Sequence, residues 1–240
     1  MIDTHIHVLP GIDDGPADMD EAVAICRMAA ANGADTIIAT PHQRHQLWPN
    51  RGTAALAARC GLVQQAVGDT PRIVTGAEIR VDAELLEDVD ALPASGLTPL
   101  AGSRYLLLEF PSVGGPEPRS VLHELVVAGW RPILAHAERI PRFIECPEEL
   151  ADLVQLGAYV QITAGSLLGR FGRRARTCCS WLLDRGLVHF VGSDAHDTDE
   201  RPPDLGRGHE AITQGWGAAR ADHLMIHNPQ DILADRPLPV

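Results

Sequence analysis

Apolar residues fall into seven short runs along the chain, mostly separated by stretches of helical period. The runs are Ile2–Val8, Thr36–Thr40, Arg72–Glu78, Tyr105–Glu109, Pro132–His136, Tyr159–Thr163 and Val188–His196. Short apolar runs bounded by turn residues such as Pro10-Gly11 and Pro41 predict strands. Helical period predicts helices over Asp18–Asn32, Thr53–Val67, Val121–Ala128, Glu148–Leu156 and roughly Arg173–Arg185. The first opens on acidic residues that suit a helix N-terminus, and Gly33 is placed to end it. Gln43–Gly52 reads as a long loop. Buried strands alternating with helices mean an α/β fold whose parallel sheet is closed, or nearly closed, on itself. Beyond Arg201 the pattern predicts a helical stretch near Gly208–Gln214 and a Pro-rich end that packs on the barrel. The chain, 1–240, reads as one domain.

Histidines and acids interrupt this apolar pattern at regular places. Asp3, His5 and His7 alternate along the first strand and so share one face, and Asp13 and Asp14 follow on the next loop. His42, Glu78, Glu109, His136, Asp194 and His196 are read as standing at the C-terminal ends of the later strands. In a parallel α/β barrel those ends form one face, where such barrels keep their active sites. So many carboxylates and imidazoles at one mouth would repel or stay neutral at a desolvation cost, and two or three divalent cations relieve both problems. A nitrogen and oxygen donor set without thiolate suits Mn, Fe or Zn rather than Ca. Arg139 lies three residues after His136, and Arg201 five after His196. Guanidinium matches phosphate bidentately, so metals and arginines at one mouth point to hydrolysis of a phosphate ester.

Composition narrows this further. A length of 240 residues suits one such barrel. The net charge of -12 argues against general nucleic-acid binding. No apolar run is long enough to span a membrane, and the start Met1-Ile-Asp-Thr-His5 lacks the features of a signal peptide, so a cytoplasmic protein is expected. The five cysteines Cys26, Cys60, Cys146, Cys178 and Cys179 form no Cys-x-x-Cys pair, and read as reduced, mostly buried thiols. Cys179 and Arg185 have the Cys-x5-Arg spacing of thiolate phosphatases. The bulky Trp181, Leu182 and Leu183 between them have helical period instead of the small residues that wrap a phosphate.

Eight segments carry a family resemblance: Asp3-Thr-His-Ile-His7, Ile12-Asp-Asp-Gly15, Ile37-Ile-Ala-Thr-Pro-His42, Gly76-Ala-Glu-Ile-Arg80, Leu107-Leu-Glu-Phe-Pro111, Ile133-Leu-Ala-His-Ala-Glu-Arg139, Gln161-Ile-Thr-Ala-Gly-Ser166, and Gly192-Ser-Asp-Ala-His196 with Arg201-Pro-Pro203. In this order the chain resembles the polymerase-and-histidinol-phosphatase (PHP) superfamily. Within it, the chain is similar to the manganese-dependent protein-tyrosine phosphatases of bacterial capsule and exopolysaccharide clusters. Ala137, in place of a common proline, and Ile140, in place of a common aromatic, depart from that pattern.

The resemblance implies a distorted TIM-like (β/α)7 barrel with three divalent metal ions, Mn foremost. His5, His7, Glu78 and Asp194 would hold one ion, and Glu78 would bridge to a second held by Glu109 and His136. His42, His196 and one of Asp13 and Asp14, with a lean to Asp14, would hold the third. It further implies attack on phosphotyrosine by a metal-bridging hydroxide, with Arg139 and Arg201 on the phosphoryl group. The expected substrate is a cognate bacterial tyrosine kinase, with no nucleic acid and no membrane insertion. The alternative is a related phosphatase of a small ester such as histidinol phosphate.

Overall fold

Seven runs give nine parallel strands among the described residues, because the run Arg72–Glu78 divides in two and a short strand follows the run Thr36–Thr40. The computed structural model describes residues 1–85, 91 and 95–238. Its strands are β1 (Ile2–Ile6), β2 (Thr36–Ala39), β3 (His42–Gln43), β4 (Arg72–Thr75), β5 (Glu78–Arg80), β6 (Tyr105–Glu109), β7 (Arg131–Leu134), β8 (Tyr159–Thr163) and β9 (Phe190–Gly192). The run Arg72–Glu78, expected as one strand, divides at Gly76–Ala77 into β4 and β5. Pro41, which has no N–H for a ladder, separates β2 from β3 at the same level. Gly76 N donates to Ala39 O (2.9 Å) and Glu78 N to Pro41 O (3.1 Å), so the two breaks lie side by side. A side chain at Gly76 would not fit, since a Cβ there would lie 2.8 Å from Ile38 and 2.9 Å from Leu100. Beyond the breaks His42 pairs in register with Glu78. Both residues open a strand, which corrects the expectation that they close one.

Pairing runs β4–β2–β1 in one sheet and β3–β5–β6–β7–β8–β9 in the other, parallel throughout. A bridge between Ile6 and Ala195 joins β1 to the chain just past β9. There His7 N donates to Ala195 O (2.9 Å) and Asp194 N to His5 O (2.7 Å). The result is a mixed α/β fold around a curled parallel sheet. Gly192 permits the closest approach, because a Cβ on it would lie 2.7 Å from that of His5.

The helices are α1 (Met19–Ala31), α2 (Thr53–Val67), α3 (Pro118–Val127), α4 (Pro141–Glu145), α5 (Glu148–Gln155), α6 (Ala164–Leu167), α7 (Gly172–Asp184), α8 (Leu205–Trp216), α9 (Ala218–Asp222) and α10 (Asn228–Leu233). Asp18 caps α1 by accepting from Glu21 N at 3.0 Å, as its sequence position suggests. The tail holds more helix than the single stretch expected near Gly208–Gln214. A π-helical turn, His223–His227, joins α9 to α10. Ala221, Leu224, Met225 and Ile232 are buried, at spacings that His223, His227 and Pro229 obscure in the sequence.

Alternation along the strands separates two layers of core. Leu106, Leu108, Leu134, Val160, Ile162 and Val191 face the helices. Tyr105, Leu107, Ile133, Tyr159 and Phe190 pack inside the curl, closed from below by Ile232 and Leu238 of the tail. Tyr105 and Tyr159 each meet the Phe190 ring edge-on at 6.2 Å between centroids. Each such pair adds about 0.5–1.5 kcal/mol to the burial of its rings. Followed upward, the same inward rows end in Glu109 on β6 and in Gln161 and Thr163 on β8. The floor is apolar and the mouth is polar.

Candidate metal centre

His5 belongs to β1 and His7 follows it, and each has one ring nitrogen anchored. His5 Nδ1 donates to Gln161 Oε1 and His7 Nδ1 to Asp13 Oδ2, both at 2.8 Å. His196 Nδ1 donates to the carbonyl of Asp194 at 3.0 Å. Anchoring Nδ1 as a donor fixes the tautomer and leaves the Nε2 lone pair directed inward, the arrangement found behind metal-bound histidines. His136 reaches the same space by another route. As residue 136 it falls out of step with the inward Ile133 and Ala135, but a left-handed backbone (φ +34°) turns it in. Its Nε2 then lies 2.7 Å from Glu78 Oε1.

Glu78 is the centre of the cluster. Its Oε2 lies 3.4 Å from His5 Nε2, 3.5 Å from His7 Nε2 and 3.1 Å from His42 Nδ1. None of these contacts has hydrogen-bond alignment, so Glu78 Oε2 and His42 Nδ1 are buried with no hydrogen-bond partner among the described residues. The same holds for Glu109 Oε2 and His196 Nε2. Each such atom costs about 1–3 kcal/mol if nothing binds it. Asp194, another left-handed residue (φ +53°), puts Oδ1 3.3 Å from His5 Nε2. Its Oδ2 accepts from Arg139 (2.7 Å) and Arg201 (2.8 Å).

The two aspartates of the first loop differ. Asp13 is turned inward, where its Oδ2 accepts from His7 and from His42 N (3.2 Å) and its Oδ1 from Gly15 N (3.0 Å). Asp14 is half-exposed, with Oδ1 3.3 Å from His42 Nε2 and 3.2 Å from His196 Nε2. All ten histidines and acids singled out in the sequence therefore meet at one mouth, beside both arginines.

Four groups of donor atoms each fall within 4.8 Å of one another: His7, Asp14, His42 and His196; His5, Glu78 and His136; His5, His7 and Asp194; and His42, Glu78 and Glu109. Their charges call for cations. Burial pulls the His42 pKa down, but Glu78 and Asp14 beside it push it up to about 11. Burial likewise opposes His7, which Asp13 raises to about 9. Glu78, despite burial, is held well below the usual carboxylate range by His5, His42 and His136. At His196 burial prevails instead, and its pKa falls to about 4, so it stays neutral. Unpartnered donors, anchored imidazoles and an all nitrogen and oxygen set fit divalent metal ions.

The profile of the capsular polysaccharide synthesis family CpsB/CapC matches residues 1–234. This chain belongs to the CpsB/CapC family. It is 37% identical over 204 residues to the tyrosine-protein phosphatase YwqE of Bacillus subtilis, covering 84% of this chain and 79% of YwqE. It superimposes with TM-score 0.91 and 32% identity on a solved chain from work on YwqE and on CpsB of Streptococcus pneumoniae, metal-dependent tyrosine phosphatases. That match covers 100% of this chain and 99% of the other. A phosphotriesterase homology protein of Escherichia coli shares the fold at TM-score 0.63 and 14% identity, covering 96% and 97% of the two chains.

Several residues of this CpsB/CapC chain support the mouth without having been singled out as ligands. Gln161 holds His5 and donates in turn to Thr4 Oγ1 at 3.0 Å. Asp3, in the same inward row as His5 and His7, accepts from Ser193 N at 3.0 Å, and burial lifts its pKa to about 6. Glu138 is buried and accepts from Thr163 N at 3.0 Å, and the neighbouring Arg139 guanidinium lies 4.6 Å from the Phe171 ring centroid. Two signals for them were present in the sequence: the alternation of Asp3 with His5, and the place of Glu138, Gln161 and Ser193 within the segments that carry the family resemblance. The thiolate reading finds no support. Cys179 is buried within the continuous helix α7, and burial pushes its pKa far up.

Proposed function

We propose that this chain is a metal-dependent protein-tyrosine phosphatase whose substrate is a bacterial tyrosine kinase of exopolysaccharide or capsule synthesis. The convergence of buried, partnerless donors with two arginines, in a CpsB/CapC chain, carries this reading. We read the curled sheet as a distorted (β/α)7 barrel of the PHP type, counting β2–β3 and β4–β5 as one strand each, and the chain as one domain. His5, His7, Glu78 and Asp194 would hold one ion; Glu78, Glu109 and His136 a second; His42, His196 and Asp14 a third. Asp13, occupied by His7 and two backbone amides, orients ligands instead. Manganese suits the donors, as do iron and zinc. Such ions supply Lewis acidity and a water acidic enough to attack phosphorus near neutral pH.

The chain's own residues bind and orient the ester. Arg139 and Arg201 converge on Asp194 from two loops, and Arg201 Nε is buried with no hydrogen-bond partner among the described residues. Spare guanidinium donors there would take phosphoryl oxygens and stabilise the charge that shifts onto them. A phenolate leaves more readily than an alkoxide, so tyrosine esters need little help from an acid. Free buried thiols at Cys26, Cys60, Cys178 and Cys179 are in keeping with a reducing cytoplasm.

The test is turnover of a phosphotyrosine peptide, a phosphoserine peptide and histidinol phosphate, with Mn and with chelator. Preference for phosphotyrosine, abolished by chelator, is expected. Preference for histidinol phosphate would move the chain to a small-ester role, and turnover without metal would overturn the centre.

A further inference from the structure

The loop between β3 and α2 carries two rings onto the rim of the donor cluster. The Trp48 indole lies nearly parallel to the His42 imidazole, 11° apart with centroids at 5.5 Å. His45 stacks on Trp48 at 4.6 Å and 23°. Both rings are half-buried. They stand one ring outside His42, whose nitrogens lie within 3.3 Å of Asp14 and Glu78.

The loop is held firmly for its length. Gln43 Nε2 donates to Asn50 O (2.7 Å) and Gly96 O (3.0 Å), and Asn50 Nδ2 donates to Ile12 O and His42 O at 2.8 Å. Leu47 N donates to His45 Nδ1 at 3.2 Å, fixing that imidazole, and Trp48 N donates to His45 O at 3.2 Å. Rings held this way lose little freedom when a ligand ring settles on them. Gln46, next to His45 in the chain, lines a cavity of about 520 Å³ that reaches Arg80, whose guanidinium is 3.6 Å from Glu109. Space for a substrate larger than a free phosphate therefore lies between Gln46 of this loop and the Arg80 that faces Glu109.

We propose that His45 and Trp48 form an aromatic ledge that seats the ring of the substrate's aryl phosphate and selects it over alkyl phosphates. This deepens, and rests on, the phosphatase reading. An aryl ester places its ring one bond from the bridging oxygen, within reach of a ledge that adjoins the donors. A phosphoserine has only a methylene there, with no face to stack. Offset or edge-on contact between rings is worth a binding difference of about three- to tenfold. Trp48 is then a specificity-determining residue.

The test is calorimetric binding of phenylphosphonate and methylphosphonate, which are not hydrolysed, to the metal-loaded protein and to its W48A and W48F variants. Metal per chain is measured alongside. In W48A the Kd for phenylphosphonate should rise about three- to tenfold relative to that for methylphosphonate, and W48F should restore most of the preference. Equal weakening of both ligands, or loss of metal, would show that Trp48 only props up His42 and would overturn the ledge. An unchanged preference would overturn it as well. Turnover of the phosphotyrosine peptide is a separate reading. Phenyl selectivity without turnover would refute the phosphatase and leave the ledge standing, whereas turnover without phenyl selectivity would do the reverse.

Discussion

The floor and the mouth of the curled sheet are built from the same strands and obey opposite rules. On β6 the inward row starts with Tyr105 and ends with Glu109, about 13 Å further along. At the floor every demand is met from within. Tyr105, Tyr159 and Phe190 pack together, and the Tyr105 hydroxyl donates to Arg236 O at 2.6 Å. At the mouth, Glu78, Glu109, His42 and His196 each keep a buried atom without a hydrogen-bond partner among the described residues. A fold gains nothing from such atoms. The contrast supports the proposal that the mouth is shaped for ions the chain does not itself supply.

The sharpest way to break this contrast is at Glu78, which all three proposed ion positions adjoin. Glu78→Ala should lower phosphotyrosine turnover by roughly a thousandfold and reduce metal per chain, with the far-ultraviolet circular dichroism unchanged. Full metal content and near-normal turnover in this variant would end its central role. Phe190→Ala is the complementary change. It should cost about 3–5 kcal/mol of stability, read from urea unfolding of the metal-free protein. At temperatures where the variant stays folded, metal per chain should hold. Metal loss in the folded variant would mean that floor and mouth are one unit.

How legible each region was in the sequence follows from the same physics. The convergence of ten histidines and acids at the mouth could be read, because such residues recur near the strand ends of a parallel sheet. Their supports Gln161 and Glu138 were not singled out. The two apolar layers could be read from alternation, as with Leu106 and Leu107. What stayed hidden depends on backbone detail. The break at Gly76 comes from the approach of Ile38 and Leu100, which no local pattern encodes. The inward turn of His136 depends on a left-handed φ that a β7 histidine does not advertise. The tail helices were obscured because His223 and His227 interrupt a helical row whose apolar members Ala221, Leu224 and Met225 are buried in the outer layer of the core.

Asp13 and Asp14 test the mouth more finely. Asp13→Asn keeps an acceptor for Gly15 N but sets an amide against His7. It should weaken metal binding about 10- to 100-fold, the usual cost of losing a partner behind a ligand. Asp14→Asn should instead empty one position, seen as a lower limiting stoichiometry at saturating metal. Identical titrations for the two variants would remove the distinction between orienting residue and ligand.

The smallest effect separates floor from mouth by pH alone. In the metal-free protein the partners of His7 and His42 hold their pKa values up, at about 9 and about 11, against about 6.5 for histidine in an unfolded chain. The folded state thus keeps protons there that the unfolded state releases. The stability they lend is complete below pH 6.5 and is lost as pH rises toward those values. His196, shifted downward to about 4, costs the fold stability as pH falls below 6.5 and adds no slope within the window above it. Divalent ions must displace the same protons, so metal binding strengthens over the range in which the metal-free fold weakens. From pH 6.5 to 9 the Tm of chelated protein should fall, while the rise in Tm on adding Mn should grow. The floor has nothing to titrate there, since burial pushes the Tyr105 and Tyr159 hydroxyls up. Phe190→Ala should therefore lower the chelated curve by a nearly constant amount without changing its slope. A chelated Tm that stays flat across this range would mean that the carboxylates of the mouth do not trap protons on His7 and His42.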